Sequence, residues 1–210
     1  MFLGIDVSTY LEQQKIANSK YKKDGQEIDP FVLFKNNGVS YIRTRIWNDP
    51  YDDNGEPYLG GTCDLNNCIE LLSALKKYGF KNIIDFHYSD FWVDPSKQPL
   101  PKAWRNLSFD ELVNAVYEFT KNSLISIKNA GFDVDFIQTG NEITHGMCWP
   151  HGKTDYEINR PYEKFAALLK SARKACLEVY PNVKIIIHFE ESYNQDLDSR
   201  VSSYSERNTP

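Results

Sequence analysis

The sequence predicts an α/β fold, a (β/α)8 TIM barrel of which the chain supplies the first five or so βα units. Three observations carry this. Short apolar runs alternate with helix-periodic segments at a repeat of roughly forty to fifty residues, the signature of parallel strands with helices outside. The long polar loops all follow the apolar runs, so they gather on one face. A doubly wound sheet would show a Gly-rich phosphate turn after the first run, and Asp6-Val7-Ser8-Thr9-Tyr10 stands there instead.

The elements follow in order. Residues 2–7 form a short apolar run, read as the first strand. Residues 29–37 read as a helix, with Asp29 as cap, Pro30 in the first turn and Gly38 as the stop. Residues 41–47 are the second strand, followed by a loop rich in Pro, Gly and Asp over 48–62. Asp64 caps a helix running to Tyr78, with Leu65, Ile69, Leu72 and Leu75 at helical spacing and Gly79 after it. Residues 82–87 are the third strand. A second long loop then runs to Trp104, and Ser108 with Glu111 forms a capping box. The helix it opens carries Leu112, Val116, Phe119, Leu124 and Ile127 and ends at Gly131. Residues 136–139 are the fourth strand, Pro161 opens a helix to about Tyr180, and 184–189 are the fifth strand. This divides the chain into a partial barrel over 1–189 and a polar, serine-rich tail over 190–210.

Composition narrows the function. The 210 residues allow one domain with a sizeable core. A net charge of −5 without a basic stripe argues against nucleic acid; Lys20, Lys22 and Lys23 are followed by Asp24 and Glu27 and read as a solvated turn. No apolar run approaches the roughly 18 residues of a membrane span. The first residues lack a basic region and meet Asp6 too early for a signal peptide. Cys63, Cys68, Cys148 and Cys176 match neither a metal-ligand spacing nor a disulfide framework and are expected as free thiols. His145 and His151 flank Cys148 without a carboxylate at ligand spacing, so no metal and no cofactor is expected.

The candidate chemistry sits at strand ends, where barrel active sites lie. The fourth strand ends in Gly140-Asn141-Glu142. Glu142 suits general acid and base work on a glycosidic oxygen, and Asn141 suits a sugar hydroxyl. Taken alone, such a turn also serves as a plain strand cap. Arg43, Arg45 and Trp47 alternate on one face of the second strand, as do Asp85 and His87 on the third. The fifth strand ends at His188 and Glu190. Arg43, Asp85 and His188 read equally well as satisfied polar groups of a barrel core. An arginine beside Glu142, with Arg45 the candidate, would tune its pKa. Trp47, Trp92, Trp104 and Trp149 all fall in or next to loops on the same face, as sugar-stacking platforms would.

Several long motifs together resemble glycoside hydrolase family 53, the endo-β-1,4-galactanases that act on type I arabinogalactan. They are Gly4-Ile5-Asp6-Val7-Ser8, Tyr41-Ile42-Arg43-Thr44-Arg45-Ile46-Trp47 and Gly61-Thr62-Cys63-Asp64-Leu65. The most specific are Asp85-Phe86-His87-Tyr88-Ser89-Asp90-Phe91-Trp92-Val93-Asp94-Pro95 with Lys97-Gln98 and Ala103-Trp104, and the stretch from Gln138 to Pro150.

The resemblance implies a (β/α)8 barrel and a retaining double displacement. Glu142 is then the acid/base, and Asn141 contacts the 2-hydroxyl. Arg45, His87, Asp85, Trp47, Trp92 and Trp149 line the sugar subsites. It also implies a galactan partner, a monomer when full length and an extracellular location. The family nucleophile is a Glu at the end of strand seven, and no residue here matches it. The expectation is therefore a truncated chain, nearly inactive alone; the alternative is a non-catalytic galactan-binding protein or truncated pseudoenzyme.

Overall fold

The computed structural model describes residues 2–154 and 162–190. Its main sheet is parallel and five-stranded, in the order β1 (Gly4–Asp6), β4 (Tyr41–Ile46), β5 (Lys81–Phe86), β6 (Phe136–Thr139), β9 (Lys184–Ile186). Each strand pairs with the next in sequence among these five, which is the topology of a partial TIM barrel. Between them lie α2 (Pro30–Asn36), α3 (Leu65–Leu75), α4 (Phe109–Asn129) and α5 (Glu163–Val179). The register sets Asp6 beside Arg43, Arg45 beside Asp85, and Asp85 beside Gln138, so polar side chains of neighbouring strands share one level.

The helix signals act as read. Asp29 accepts from the Phe31 amide at 2.9 Å and Asp64 from the Asn67 amide at 2.8 Å. Ser108 and Glu111 form the reciprocal capping box. Helix α4 buries Leu112, Val116, Leu124 and Ile127, and α5 buries Phe165, Leu168, Ala172 and Cys176. All belong to one core with Ile42, Ile46, Ile84, Phe86 and Ile137 of the strands.

Some boundaries differ from expectation. Strand β9 stops at Ile186 because the next residues leave the ladder. The His188 carbonyl accepts from the Ile143 amide, and the Glu190 amide donates to Thr144 Oγ1. Phe2 and Leu3 are exposed beyond β1. Lys22–Lys23 is strand β2 of a hairpin with β3 (Gln26–Glu27), rather than a plain turn. A short α1 (Tyr10–Lys15) follows β1; it has no side-chain cap and buries only Leu11, too faint a pattern to read. A second hairpin pairs β7 (Gly146–Met147) with β8 (Gly152–Lys153). Pro161 and the tail beyond Glu190 lie outside the described residues.

All four cysteines are free and buried. Among the described residues no helix is long and apolar enough to cross a membrane, and no group of three or more His, Cys, Asp and Glu is placed to hold a metal.

Leu124 is fully buried between α4 and the core. Leu124→Ala should cost about 2–5 kcal/mol, and Ser108→Ala about 1 kcal/mol. Urea denaturation checks both, and the core change should be the larger.

Candidate active site

One guanidinium organises the strand ends. Arg43 lies 2.5 Å from Asp6 Oδ2 and 2.6 Å from Asp85 Oδ2. Its Nη2 donates to Asn141 Oδ1 at 2.8 Å and its Nε to Gln138 Oε1 at 3.2 Å. The side chain therefore ties together groups from β1, β5 and β6. Gln138 Nε2 donates in turn to Asp85 Oδ1 at 2.7 Å and to the Gly140 carbonyl at 3.0 Å.

Asp85 and His87 are fully buried, with His87 Nε2 3.0 Å from Asp85 Oδ2. Trp47 Nε1 donates to His87 Nδ1 at 3.1 Å, which leaves the proton on Nε2, facing Asp85. Burial pushes the His87 pKa below its ordinary value against the pull of Asp85, which favours the neutral ring. His188 Nδ1 lies 3.0 Å from Asn141 Oδ1. Its pKa is lowered too, by burial first and then by Arg43.

Asn141 is held from both ends. Its Oδ1 faces Arg43 and His188, and its Nδ2 donates to the Val93 carbonyl at 3.1 Å. The second N–H of that amide has no partner among the described residues. Glu142 follows with φ +50°, a left-handed conformation for a residue that carries a Cβ. Such a conformation costs about 1–2 kcal/mol and persists where surroundings over-determine it. Gly140 prepares the turn with φ +94°; a Cβ there would also meet Ile143 Cγ2 at 2.7 Å.

The Glu142 pKa is raised. Partial burial is the main cause, followed by the charges of Glu190 and Asp94, and it outweighs His87 and Arg43. A carboxylic acid kept protonated above the usual range can donate a proton to a leaving oxygen.

The aromatic rim has two layers. Trp92 is 37% exposed, with the Arg45 guanidinium 3.8 Å from its ring centroid. Beneath it Trp47 is wholly buried, 5.6 Å away centroid to centroid and edge-on. Trp149, half-buried, donates from Nε1 to the His145 carbonyl and lies under Lys153.

Several sequence expectations are corrected by these positions. The arginine beside the Asn141-Glu142 turn is Arg43, one alternate position earlier than Arg45. Arg45 is buried against Trp92, Trp47 and Cys63. Trp47, Asp85 and His87 are buried, with Trp92 packed on Trp47 and Arg43 paired with Asp85. Trp104 is a core residue packed edge-on to Phe119. Two site residues went unread. Gln138 shares the inward face with Gly140 by strand alternation, which is a usable signal. Gln98, whose side-chain amide donates to the Asn141 and Glu142 carbonyls, comes from a loop, where no periodicity could mark it.

Two measurements test this electrostatic picture. In an NMR titration, Glu190→Gln should lower the Glu142 pKa by removing a neighbouring charge. The raised folded-state pKa means that Glu142 contributes stability at low pH and loses it as pH rises through that pKa. Glu142→Gln should therefore gain stability relative to wild type as pH rises from acid towards neutral in denaturation curves. Equal pH slopes in the two proteins would contradict the shift.

The chain has close relatives. The sequence profile of glycosyl hydrolase family 53 matches residues 2–208. An endo-β-1,4-galactanase of Bacillus subtilis is 40% identical over 186 residues, 89% of this chain and 41% of its own length. An arabinogalactan endo-β-1,4-galactanase of Humicola insolens is 33% identical over 198 residues, 93% of this chain and 55% of its own. Among solved structures, the family 53 catalytic domain of Ignisphaera aggregans superposes with a TM-score of 0.85 at 40% identity, over 96% of this chain and 56% of that one. A fungal β-1,4-galactanase gives 0.82 at 32%, over 97% and 57%. The chain thus spans about half the length of the relatives it matches. With nearly its whole length matched by the profile, the chain belongs to glycosyl hydrolase family 53.

Proposed function

We propose that the protein is an endo-acting galactanase that cleaves β-1,4-galactosidic bonds in type I arabinogalactan with retention of configuration, and that Glu142 is its acid/base. The observation that carries this is the half-buried Glu142 carboxyl at the end of β6, its pKa raised, beside an Asn141 amide with one free N–H. Glu142 would protonate the leaving glycosidic oxygen and then activate water for the second step. Asn141 would bind the 2-hydroxyl of the sugar at the cleaved bond. Trp92 offers a ring face, and Trp149, joined to the Asn141-Glu142 turn through Gln98, would offer the side that Lys153 does not cover. Arg45, Trp47, Asp85 and His87 would hold these groups in place from below.

The retaining route also needs a second carboxylate, roughly 5 Å from the first, as nucleophile. No described residue is assigned that role. The substrate is a polymer of plant cell walls, too large to enter a cell, which supports an extracellular site of action.

The test is reducing-end release from linear β-1,4-galactan by the protein that carries this chain and by its Glu142→Gln variant. Release should fall by about 10²–10⁴-fold, the usual worth of a general acid/base, while galactan affinity persists. Undiminished release would contradict the assignment. Galactan binding by wild type without cleavage would instead assign a carbohydrate-binding role.

A further inference from the structure

Beyond Asn141 and Glu142 the backbone has left its strand. The Gly140 amide still bonds the Phe86 carbonyl, and the last β6–β9 register pair is Gln138 with Ile186. The Asn141 and Glu142 carbonyls therefore have no ladder partner, and backbone acceptors out of water need one. A single group serves both. Gln98 Nε2 donates to the Asn141 carbonyl at 2.9 Å and the Glu142 carbonyl at 3.2 Å, and also lies 3.2 Å from the Asp94 carbonyl. Gln98 is 2% exposed, so water does not compete.

The side-chain chemistry suits the task. An amide nitrogen offers two donors without a charge that would need a buried counter-ion. A carboxylate at the same place would repel both carbonyls. Two successive carbonyls converge on one donor only while Glu142 keeps its left-handed turn. Gln98 also accepts from the Trp149 amide at 2.7 Å through its own carbonyl. The residue thus joins the Glu142 turn to both loops that carry the outer tryptophans.

We propose that Gln98 is the positioning residue of the acid/base: its amide holds Glu142 in the left-handed turn that aims the carboxyl into the mouth. This rests on the reading of Glu142 as acid/base. It acts through the backbone and touches no substrate. Without it, Glu142 relaxes to an ordinary conformation and the carboxyl moves away from the bond it serves, a displacement of the kind that costs about 100-fold in rate.

The test uses Gln98→Met, which keeps side-chain length and removes the donors, and Gln98→Ala as a second variant. Backbone chemical shifts at residue 142 report its φ in the folded protein, whether or not it turns over. Both variants should lose the left-handed signature. On linear β-1,4-galactan, kcat should fall about 100-fold, with KM within about twofold and the circular dichroism spectrum unchanged. A Glu142 that stays left-handed in both variants overturns the proposal, as does an unchanged kcat. A parallel loss of affinity and fold would show a merely structural residue and overturn it too. Failure of the wild type to cut galactan would instead count against the acid/base reading, while the shifts at residue 142 still decide the role of Gln98.

Discussion

The site depends on a constraint that any charged group inside a sheet must meet: Arg43 has to be neutralised and fully hydrogen-bonded. Its side chain is 22% exposed and stands between Asp6 and Asp85, with Gln138 and Asn141 completing its shell. These partners come from different strands, so the ion network fixes the relative height of β1, β4, β5 and β6 as well as a charge balance. A network of this kind contributes little net stability compared with apolar packing, but breaking it strands a buried charge at a cost of about 3–5 kcal/mol. Its consequence is geometric. The amide of Asn141 can point only one way, and Glu142 follows it.

Around that centre the fold separates support from contact. Asp85, His87 and Trp47 are buried side by side, and they hold up Arg43 and Trp92. Glu142, Trp92 and part of Trp149 remain accessible. The left-handed Glu142 concentrates backbone strain at this turn, next to a Gly140 whose positive φ costs a glycine little. Strain is tolerated there because Arg43 grips the Asn141 side chain from the sheet while Gln98 grips the main chain from the loop. The raised pKa of Glu142 follows from the same placement: the turn lifts the carboxyl out of the polar network into partial burial, near Glu190 and Asp94.

Much of this was legible in the residues. Caps at Asp29, Asp64 and Ser108, with helical spacing behind them, located α2, α3 and α4, because capping is local chemistry. The alternation of Arg43 with Arg45, and of Asp85 with His87, placed both pairs on the inner face. What the pattern could not say is which of two inward arginines reaches the Asn141-Glu142 turn, since that depends on the register between strands. Burial of Trp47 and Trp104 was hidden for a related reason. A loop-adjacent tryptophan reads as a platform until the residue covering it is known, here Trp92 for Trp47 and the α4 face for Trp104. Gln98 was invisible because its partners at the turn are main-chain atoms more than forty residues away in sequence.

The most direct test of the account is a crystal structure of the Glu142→Gln variant with a linear β-1,4-galacto-oligosaccharide bound. The account predicts one sugar ring stacked on Trp92, a 2-hydroxyl on the free N–H of Asn141, and a glycosidic oxygen within about 3 Å of the residue 142 side chain. An oligosaccharide bound away from Asn141 and residue 142, or with no glycosidic oxygen within reach of them, would contradict it.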